Sequence, residues 1–459
     1  MDAASSLQSS AIETSSGAKE RRSRFSFGLR LLRRPISTVD GCWSWIACIS
    51  AFFITFFTVG LLESFSVLYI GFIDKFSPEN ETNSTHAKIS GSVAWISSTS
   101  YIVAFCLSPL ASVTANRFGI RNVLLLSSAL IPLGLLLTSF TRQLWEVFFT
   151  YGVLCGLGTM FVFTPILGLL PAYFQKYRSP ASGILMSSPY VSTATLVPLG
   201  RHLLDVYGLD VLLYVESGMT LLVLFPMAII FRPHLSVETE RLDQVQSLGK
   251  LLRNIVIPLK RKRFSFWLAL IALHYFTYYI PIIHTIRFAE DELHVSPARS
   301  GYLMTCYALT AAVSNIFFGS IADRLPAIML SMIVPILIGA IATLCFPFYV
   351  EYWHVMLFMF FIGVSVGFNG PIPVVVRRLV EENEAIDAVA ILSLIAGFMS
   401  SLGPPVAGLL GWIYDHSGHY TSAFIMSGSV SLTAGLLLFV DVVFFEKRSR
   451  LEASADIAL

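Results

Sequence analysis

Asp40-Gly41-Cys42-Trp43-Ser44-Trp45 opens the first of about twelve long apolar runs in this chain of 459 residues. An acidic residue and a glycine form a tight entry, and two tryptophans follow at the depth where an indole ring prefers the boundary between water and lipid. Taken alone, the hexapeptide indicates only the anchored start of a membrane-spanning helix. The apolar run behind it is what indicates the fold class.

Composition places the chain among integral membrane proteins. Apolar residues make up 55% and charged residues 13%, and the mean hydropathy is +0.71, well outside the range of soluble globular proteins. Most apolar runs exceed the roughly 18 residues that a helix needs to cross a bilayer, and strands of alternating polarity are missing. We therefore predict an all-α protein whose surroundings are the lipid bilayer, with no nucleic-acid partner.

The runs predict twelve transmembrane helices in two halves of six. Their predicted bounds are 42–73, 91–115, 122–140, 144–171, 180–204, 209–231, 264–286, 297–322, 327–346, 352–376, 386–412 and 421–445. The domains follow directly: a disordered tail at 1–40, the first half at 41–233, a linker at 234–263, the second half at 264–445 and a tail at 446–459. We read span one, rather than a cleaved signal peptide, as the insertion signal.

The distribution of basic residues predicts the orientation. If the N-terminus is cytoplasmic, 25 of the 31 Lys and Arg residues fall on cytoplasmic segments; the exceptions are Lys75, Lys88, Arg142, Arg201, Arg287 and Arg299. This matches the positive-inside rule. The first loop on the other side carries two glycosylation sequons, at Asn80 and Asn83. We expect a multi-pass plasma-membrane glycoprotein with both termini in the cytoplasm.

Two short segments repeat between the halves. Asn116-Arg117-Phe118-Gly119-Ile120-Arg121 closes span two, and Gly319-Ser320-Ile321-Ala322-Asp323-Arg324 closes span eight, the second span of its half. Duplicated halves are typical of carriers that work by alternating access, with the solute bound between them near the middle of the membrane. The pattern predicts a secondary transporter.

These segments resemble the loop motif of the major facilitator superfamily. The superfamily motif is similar to Ala111 through Arg121, with Asn116 in the acidic place, and its second copy keeps Asp323-Arg324. The resemblance implies the twelve-helix major facilitator fold. It also implies that Arg117, Asp323 and Arg324 form a cytoplasmic gate that breaks when that side opens.

Three further stretches resemble the monocarboxylate transporter family within it. They are the opening hexapeptide from Asp40 to Trp45, the stretch from Tyr173 to Gly183, and Leu402 to Gly408 followed by Asp415, Gly418 and Tyr420. Because the stretches sample both halves, the resemblance covers residues 40 to 445. It implies a small organic solute as substrate and a single-span ancillary subunit as partner. Whether a proton is transported together with the solute is left undecided.

The chain departs from that family at its anion-binding positions. Where proton-linked members carry a Lys late in span one, this chain has Glu63, and Ala311 and Asn315 take the places of an Asp and an Arg on span eight. An organic anion in the membrane needs a positive charge or several donors to offset its desolvation. We therefore expect a neutral, zwitterionic or cationic solute, such as an amino acid or a creatine-like or carnitine-like molecule. The alternative is a proton-coupled monocarboxylate symporter that uses Arg201 or His274 as its cation.

Polar groups inside the spans are the candidates for binding solute or proton: Glu63, His274, Tyr278, Asn315, Asn369 and Arg201. An intramembrane carboxylate favours a functional role for Glu63. His274 is equally a titrating group or a packed neutral imidazole, and Tyr278 an aromatic wall or ordinary packing. Asn315 and Asn369 are alternatively helix–helix contacts, and Arg201 is alternatively an interfacial side chain.

Other function classes find little support. The sequence contains no nucleophile motif, zinc-binding H-E-x-x-H or phosphate loop, so we expect no enzyme activity, no cofactor and no metal. The six cysteines lie in or beside the predicted spans, which argues against a disulfide framework or a zinc site. A non-transporting membrane receptor or scaffold remains a second alternative, although the tails are short and carry no binding domain.

Overall fold

The computed structural model describes residues 39–76, 83–231, 257–322, 324, 328–381, 384–402 and 421–458, with side chains left aside at 83–91, at 445–458 and at a few isolated positions. Within these ranges the chain forms twelve long helices and no strand. Their bounds are α1 42–76, α2 83–118, α3 Ile120–Ser139, α4 Leu144–Tyr173, α5 Arg178–Tyr207, α6 Leu209–Ile230, α7 Lys262–Asp291, α8 Pro297–Ala322, α9 Leu330–Leu344, α10 Tyr352–Leu379, α11 Ala385–Ser401 and α12 Thr421–Ala458.

Most of the helices match the predicted spans, although α2 begins at Asn83 instead of residue 91 and α7 ends at Asp291 instead of residue 286. The predicted end of span eleven at residue 412 lies outside the described residues. Eight of the described helices are long and apolar enough to cross a membrane, and a ninth is the bent pair in α2. The shorter apolar helices α9 and α11 and the proline-containing α5 complete the twelve. The helix α12 continues past the predicted span end at residue 445 as far as Ala458. Most of the predicted linker 234–263 lies outside the described residues.

The two halves meet along α5 and α8, which pack closely side by side. A Cβ atom placed on Gly183 would lie 2.6 Å from the carbonyl oxygen of Asn315, and one placed on Gly319 would lie 2.6 Å from the Cα atom of Gly183. Both distances are too short for any side chain, so glycine at these positions lets the backbones touch. The halves therefore join along a seam of backbone contacts.

The opening hexapeptide is tied to the loop between α4 and α5. The Asp40 carboxylate accepts hydrogen bonds from the backbone N–H groups of Gln175 and Lys176, at 3.1 and 3.0 Å. The Trp45 ring packs edge-on against Phe174, with ring centroids 5.1 Å apart. Two stretches that carry the family resemblance are thus in contact, and the hexapeptide does more than anchor the first helix. We name this side of the bundle the Asp40 end.

Candidate substrate-binding cavity

The helix α1 is interrupted where it approaches the middle of the bundle. It consists of the segments Cys42–Phe56, Val59–Glu63 and Phe65–Phe76. The hydroxyl of Thr58 bonds back to the carbonyl of Ile54 at 2.9 Å, a contact of the kind that bends helices. Glu63 is the last residue before the second interruption, and polar groups at a broken helix in a membrane bundle commonly line a cavity.

Two of the other helices lose regularity beside residues that line the same space. In α2, residues Ile102–Cys106 form a wider π-helical turn directly after Tyr101, and the helix bends by 44° beside it. In α10, residues Val366–Asn369 form a tighter 3₁₀ turn. Such local changes of helix type often mark functional positions. They place Tyr101 and Asn369 at the wall of the same space as Glu63.

That space is a central cavity of about 110 Å³ between the two halves. Its polar lining consists of one carboxylate, five tyrosines, one amide and two hydroxyls: Glu63, Tyr101, Tyr190, Tyr275, Tyr278, Tyr279, Asn369, Ser393 and Ser400. The remaining lining is apolar. None of the described lining residues is Lys, Arg or His. The wall of the cavity is therefore largely aromatic. Among its described lining residues, Glu63 is the one that can carry a formal charge.

Glu63 connects the two halves by hydrogen bonds. The Tyr279 hydroxyl, on α7, donates to Oε1 of Glu63 at 3.2 Å. Tyr101, on α2, is a second hydrogen-bonding partner of the same carboxyl group. A carboxylate that accepts hydrogen bonds from hydroxyls is stabilised away from water. Glu63 thus has partners in both halves, and a solute that reaches it competes with these hydroxyls.

The hydroxyls of three tyrosines form a chain that joins α7 and α8 of the second half to α5 of the first half, and a fourth tyrosine bonds to α10. The Tyr278 hydroxyl lies 3.0 Å from that of Tyr307 and 3.5 Å from that of Tyr190. The Tyr275 hydroxyl donates to Oδ1 of Asn369 at 2.7 Å. Because these hydroxyls hold one another, the rings have fixed positions around the cavity.

Two of the predicted residues lie close to the cavity but do not line it. His274 is buried behind the wall, where its Nδ1 lies 3.3 Å from the Ser431 hydroxyl and its ring packs edge-on against Phe368. Asn315 is fully buried at the α5–α8 seam, and its amide donates to the Ala311 carbonyl at 2.8 Å. Glu63, Tyr278 and Asn369 are brought together, whereas His274 and Asn315 are packing neighbours of other helices.

Arg201 lies far from the cavity lining. Its guanidinium pairs with Asp205 at 3.0 Å, and both side chains are about half exposed at 50% and 53%. The geometry matches the interfacial reading of Arg201.

The predicted gate residues are described in part. Arg117 is exposed, with its guanidinium 5.6 Å from the ring centre of Phe118, and Arg324 is exposed in a turn. Asp323 lies outside the described residues, as does Asn80, and Asn83 is described in its backbone only. The gate and the glycosylation sites stay predictions.

A different contact joins the halves on the Asp40 side of the cavity. The Ser112 hydroxyl, on α2, donates to Oδ1 of Asp387 on α11 at 2.7 Å. One turn away, the Ser108 hydroxyl donates to the Ala390 carbonyl at 2.8 Å. The sequence did not predict this pair. The repeated motif predicted a gate at Arg117, Asp323 and Arg324 instead.

Sequence reasoning also passed over most of the aromatic wall. Tyr275, Tyr278 and Tyr279 are spaced so that they share a face of α7, and this spacing is a signal that sequence alone contains. Tyr101 and Tyr190 carry no such signal, since neither has another tyrosine three or four residues away. The described residues contain no group of three or more His, Cys, Asp or Glu side chains that is arranged to hold a metal ion.

Known proteins are similar to this chain over most of its length. The family model of the Major Facilitator Superfamily matches residues 82–291 and 273–456. The chain is 26% identical to monocarboxylate transporter 10 of Rattus norvegicus over 446 residues, which is 91% of this chain and 82% of that protein. It is likewise 26% identical to monocarboxylate transporters 13 and 2 of the same species, over 88% and 87% of this chain and 90% and 83% of theirs.

A solved structure shares the fold. The proton:xylose symporter XylE, bound to 6-bromo-6-deoxy-D-glucose, superimposes with a TM-score of 0.61 at 15% identity. The match covers 86% of this chain and 94% of that one. At this sequence identity, the similarity indicates a shared fold and nothing about the substrate. The resemblance to monocarboxylate transporters is confirmed by the relatives. The chain belongs to the Major Facilitator Superfamily and is a multi-pass membrane transporter, not an enzyme.

Proposed function

We propose that this protein carries a small organic solute that is neutral, zwitterionic or cationic, by alternating access through the central cavity. The solute binds between the halves with its polar or positively charged part at Glu63 and its apolar part against the tyrosines. Each half then rocks about the α5–α8 seam, so that the cavity opens to one side of the membrane at a time.

The observation that supports this substrate class is the lining of the cavity. Glu63 faces a space whose described lining contains no Lys, Arg or His. An organic anion there would lose its hydration and meet a like charge, both of which are unfavourable. A cation meets the opposite charge, and five tyrosine rings offer faces that attract cations and pack against apolar groups.

Basic-residue distribution supports the proposed orientation. We propose that the Asp40 end faces the cytoplasm, that the first loop is extracellular and glycosylated, and that the protein works in the plasma membrane. The family resemblance also implies a single-span ancillary subunit, which stays a prediction.

The second candidate is a proton-coupled monocarboxylate symporter. The names of the relatives favour it, since three of them are monocarboxylate transporters. Its proposed cations are poorly placed, however, because Arg201 is paired at the surface and His274 is packed against Ser431. Glu63 remains a group that can carry a proton in either reading.

Uptake into proteoliposomes distinguishes the two. Purified protein is reconstituted and given labelled L-lactate, creatine and tetraethylammonium in turn, with and without an imposed pH gradient. The proposal predicts saturable uptake of creatine or tetraethylammonium above that of L-lactate. Saturable, gradient-driven uptake of L-lactate alone would select the symporter, and no uptake of any solute would favour a receptor or scaffold.

A further inference from the structure

A second cavity, of about 190 Å³, lies on the other side of Glu63. It shares four residues with the central cavity: Glu63, Tyr101, Tyr279 and Ser400. Its other lining residues are Leu62, Phe65, Ser66, Ser97, Ser98 and Ser401. The shared residues form the wall between the two cavities, and Glu63 is accessible from both.

The position of this outer cavity follows from the run of the helices. On α1 it is lined by Phe65 and Ser66, which come after Glu63, whereas the central cavity is lined by Val59, which comes before. Because α1 runs away from the Asp40 end, the outer cavity lies toward the opposite end. The helix α2 runs in the opposite direction, toward the Asp40 end. Ser97, which lines the outer cavity, comes before Tyr101 on α2, as this position requires.

The chemistry of the outer cavity differs from that of the central one. Five serines line it, of which Ser66 is exposed and Ser97 and Ser400 are half-buried. None of the described lining residues is Lys, Arg or His. A carboxylate beside several serine hydroxyls suits a hydrophilic ammonium group, since the carboxylate supplies the opposite charge and serine oxygens accept N–H donors.

We propose that the outer cavity is a separate binding site for an organic ammonium group, in which the solute is held on Glu63 before it passes the wall made by Tyr101 and Tyr279. The solute keeps Glu63 as its partner while it moves inward, and exchanges serine hydroxyls for tyrosine rings. The inference rests on the proposed function in that both use Glu63. It adds a site and an order of binding.

Charge-selective labelling tests the site without a known substrate. Ser97 or Ser66 is replaced by Cys in a Cys42→Ser background, because Cys42 is the cysteine classed as exposed among the described residues. The rate of labelling by trimethylammonium-ethyl methanethiosulfonate is divided by the rate with the anionic sulfonatoethyl reagent. Phe140→Cys, 64% exposed at the same end of the bundle, gives the reference ratio.

The proposal predicts a ratio at Ser97→Cys at least tenfold above the reference, which corresponds to about 1.4 kcal/mol. Adding Glu63→Gln should return it to the reference value and leave the Phe140→Cys ratio unchanged. Equal ratios at both positions, a ratio insensitive to Glu63→Gln, or no labelling of Ser97→Cys and Ser66→Cys in monodisperse protein would each overturn it.

The result is separable from transport, because labelling requires no turnover. If the labelling ratio fails while uptake of tetraethylammonium depends on Glu63, the outer site is wrong and the proposed function stands. If the ratio holds and no solute accumulates, the site stands and the proposed function falls.

Discussion

The helices α1 and α7 open the two halves, yet they contribute to the cavity in different ways. The helix α1 is broken into three segments and presents a carboxyl group at its second break, whereas α7 is one helix, Lys262–Asp291, that presents three tyrosines. They meet where Tyr279 donates to Glu63. The duplicated halves have diverged so that one supplies charge on an irregular backbone and the other supplies aromatic rings on a regular one.

The physical reason lies in what each group requires. A carboxyl group in a membrane bundle needs hydrogen-bond donors and a cavity, and a helix interruption turns it toward both. Aromatic rings need neighbours at helical spacing, which an uninterrupted helix provides at positions i, i+3 and i+4. Experiments that alter one side of this arrangement should therefore affect transport differently from those that alter the seam or the loops.

The largest effect is expected at the seam that joins the halves. Gly183→Val would place side-chain atoms inside the backbone of α8, where even a Cβ atom would lie 2.6 Å from the Asn315 carbonyl oxygen. Overpacking of this kind costs several kcal/mol when backbone must move. We expect loss of monodisperse protein in size-exclusion chromatography.

Gly301→Val is the matched control for this substitution. Gly301 lies on α8 as well, and nothing stands within 4 Å of a Cβ atom placed there. It should give normal yield and normal uptake. If Gly183→Val behaved like Gly301→Val, the halves would not be joined along the seam as described.

The next effect is expected at the contact between Ser112 and Asp387. Replacing either residue with Ala removes a hydrogen bond to a carboxylate, which is worth about 1.5–3 kcal/mol. Labelling of a cysteine at Leu167, a lining residue of the central cavity, should rise by about tenfold or more from the Asp40 side in inside-out vesicles. Labelling in the double variant should rise no further than in either single variant, because the two residues are partners in one contact.

Arg117→Ala in the same assay compares this contact with the predicted gate. Arg117 is exposed and its guanidinium lies over Phe118 of its own helix, so we expect a smaller rise than for Asp387→Ala. An equal or larger rise would assign the gate to the loop motif instead.

The sequence predicted the fold well, because long apolar runs and basic loops leave little choice in a bilayer. Twelve helices, their order and most of their ends follow from length and hydropathy alone. The interruptions in α1, α2 and α10 did not follow. They depend on side chains such as Thr58 bonding back to the helix and on neighbouring helices that satisfy the freed backbone groups.

The cavity was predicted in part for a related reason. Glu63 and Asn369 stand out in apolar runs, and Tyr278 follows His274 at helical spacing. His274 and Asn315 stand out equally, but the structure turns them toward Ser431 and the α5–α8 seam. Periodicity within one helix does not determine which neighbouring helix each face contacts. The sequence therefore did not predict that Tyr101 and Tyr190 line the cavity.

A smaller effect is expected when the link between α1 and α7 is weakened. Tyr279→Phe removes the hydroxyl that donates to Glu63 and keeps the ring, a loss of about 1 kcal/mol, because the bond is long at 3.2 Å and Tyr101 remains a partner of the same carboxyl group. The half-saturating concentration of the transported solute should fall by about fivefold, because the solute no longer competes with this hydroxyl for Glu63. Tyr302→Phe, at a tyrosine that is 63% exposed on α8, should leave it unchanged; an equal change in both variants would remove Tyr279 from the site.

The smallest effect on transport is expected from the first loop. Asn80→Gln together with Asn83→Gln should increase gel mobility to that of glycosidase-treated protein and leave uptake unaltered, because sequons in an extracellular loop carry surface glycans. An unglycosylated wild-type protein whose first loop is protected from external protease would reverse the proposed orientation.

Selection of the solute by Glu63 is tested by the uptake of labelled creatine and tetraethylammonium by Glu63→Gln and Glu63→Asp proteins, at matched amounts in proteoliposomes. Glutamine keeps the size of the side chain and removes its charge, while aspartate keeps the charge. We expect Glu63→Gln to lower saturable uptake of the transported solute at least tenfold and Glu63→Asp to retain a substantial part of it. Uptake by Glu63→Gln equal to that of the wild type would show that the charge of Glu63 does not select the solute.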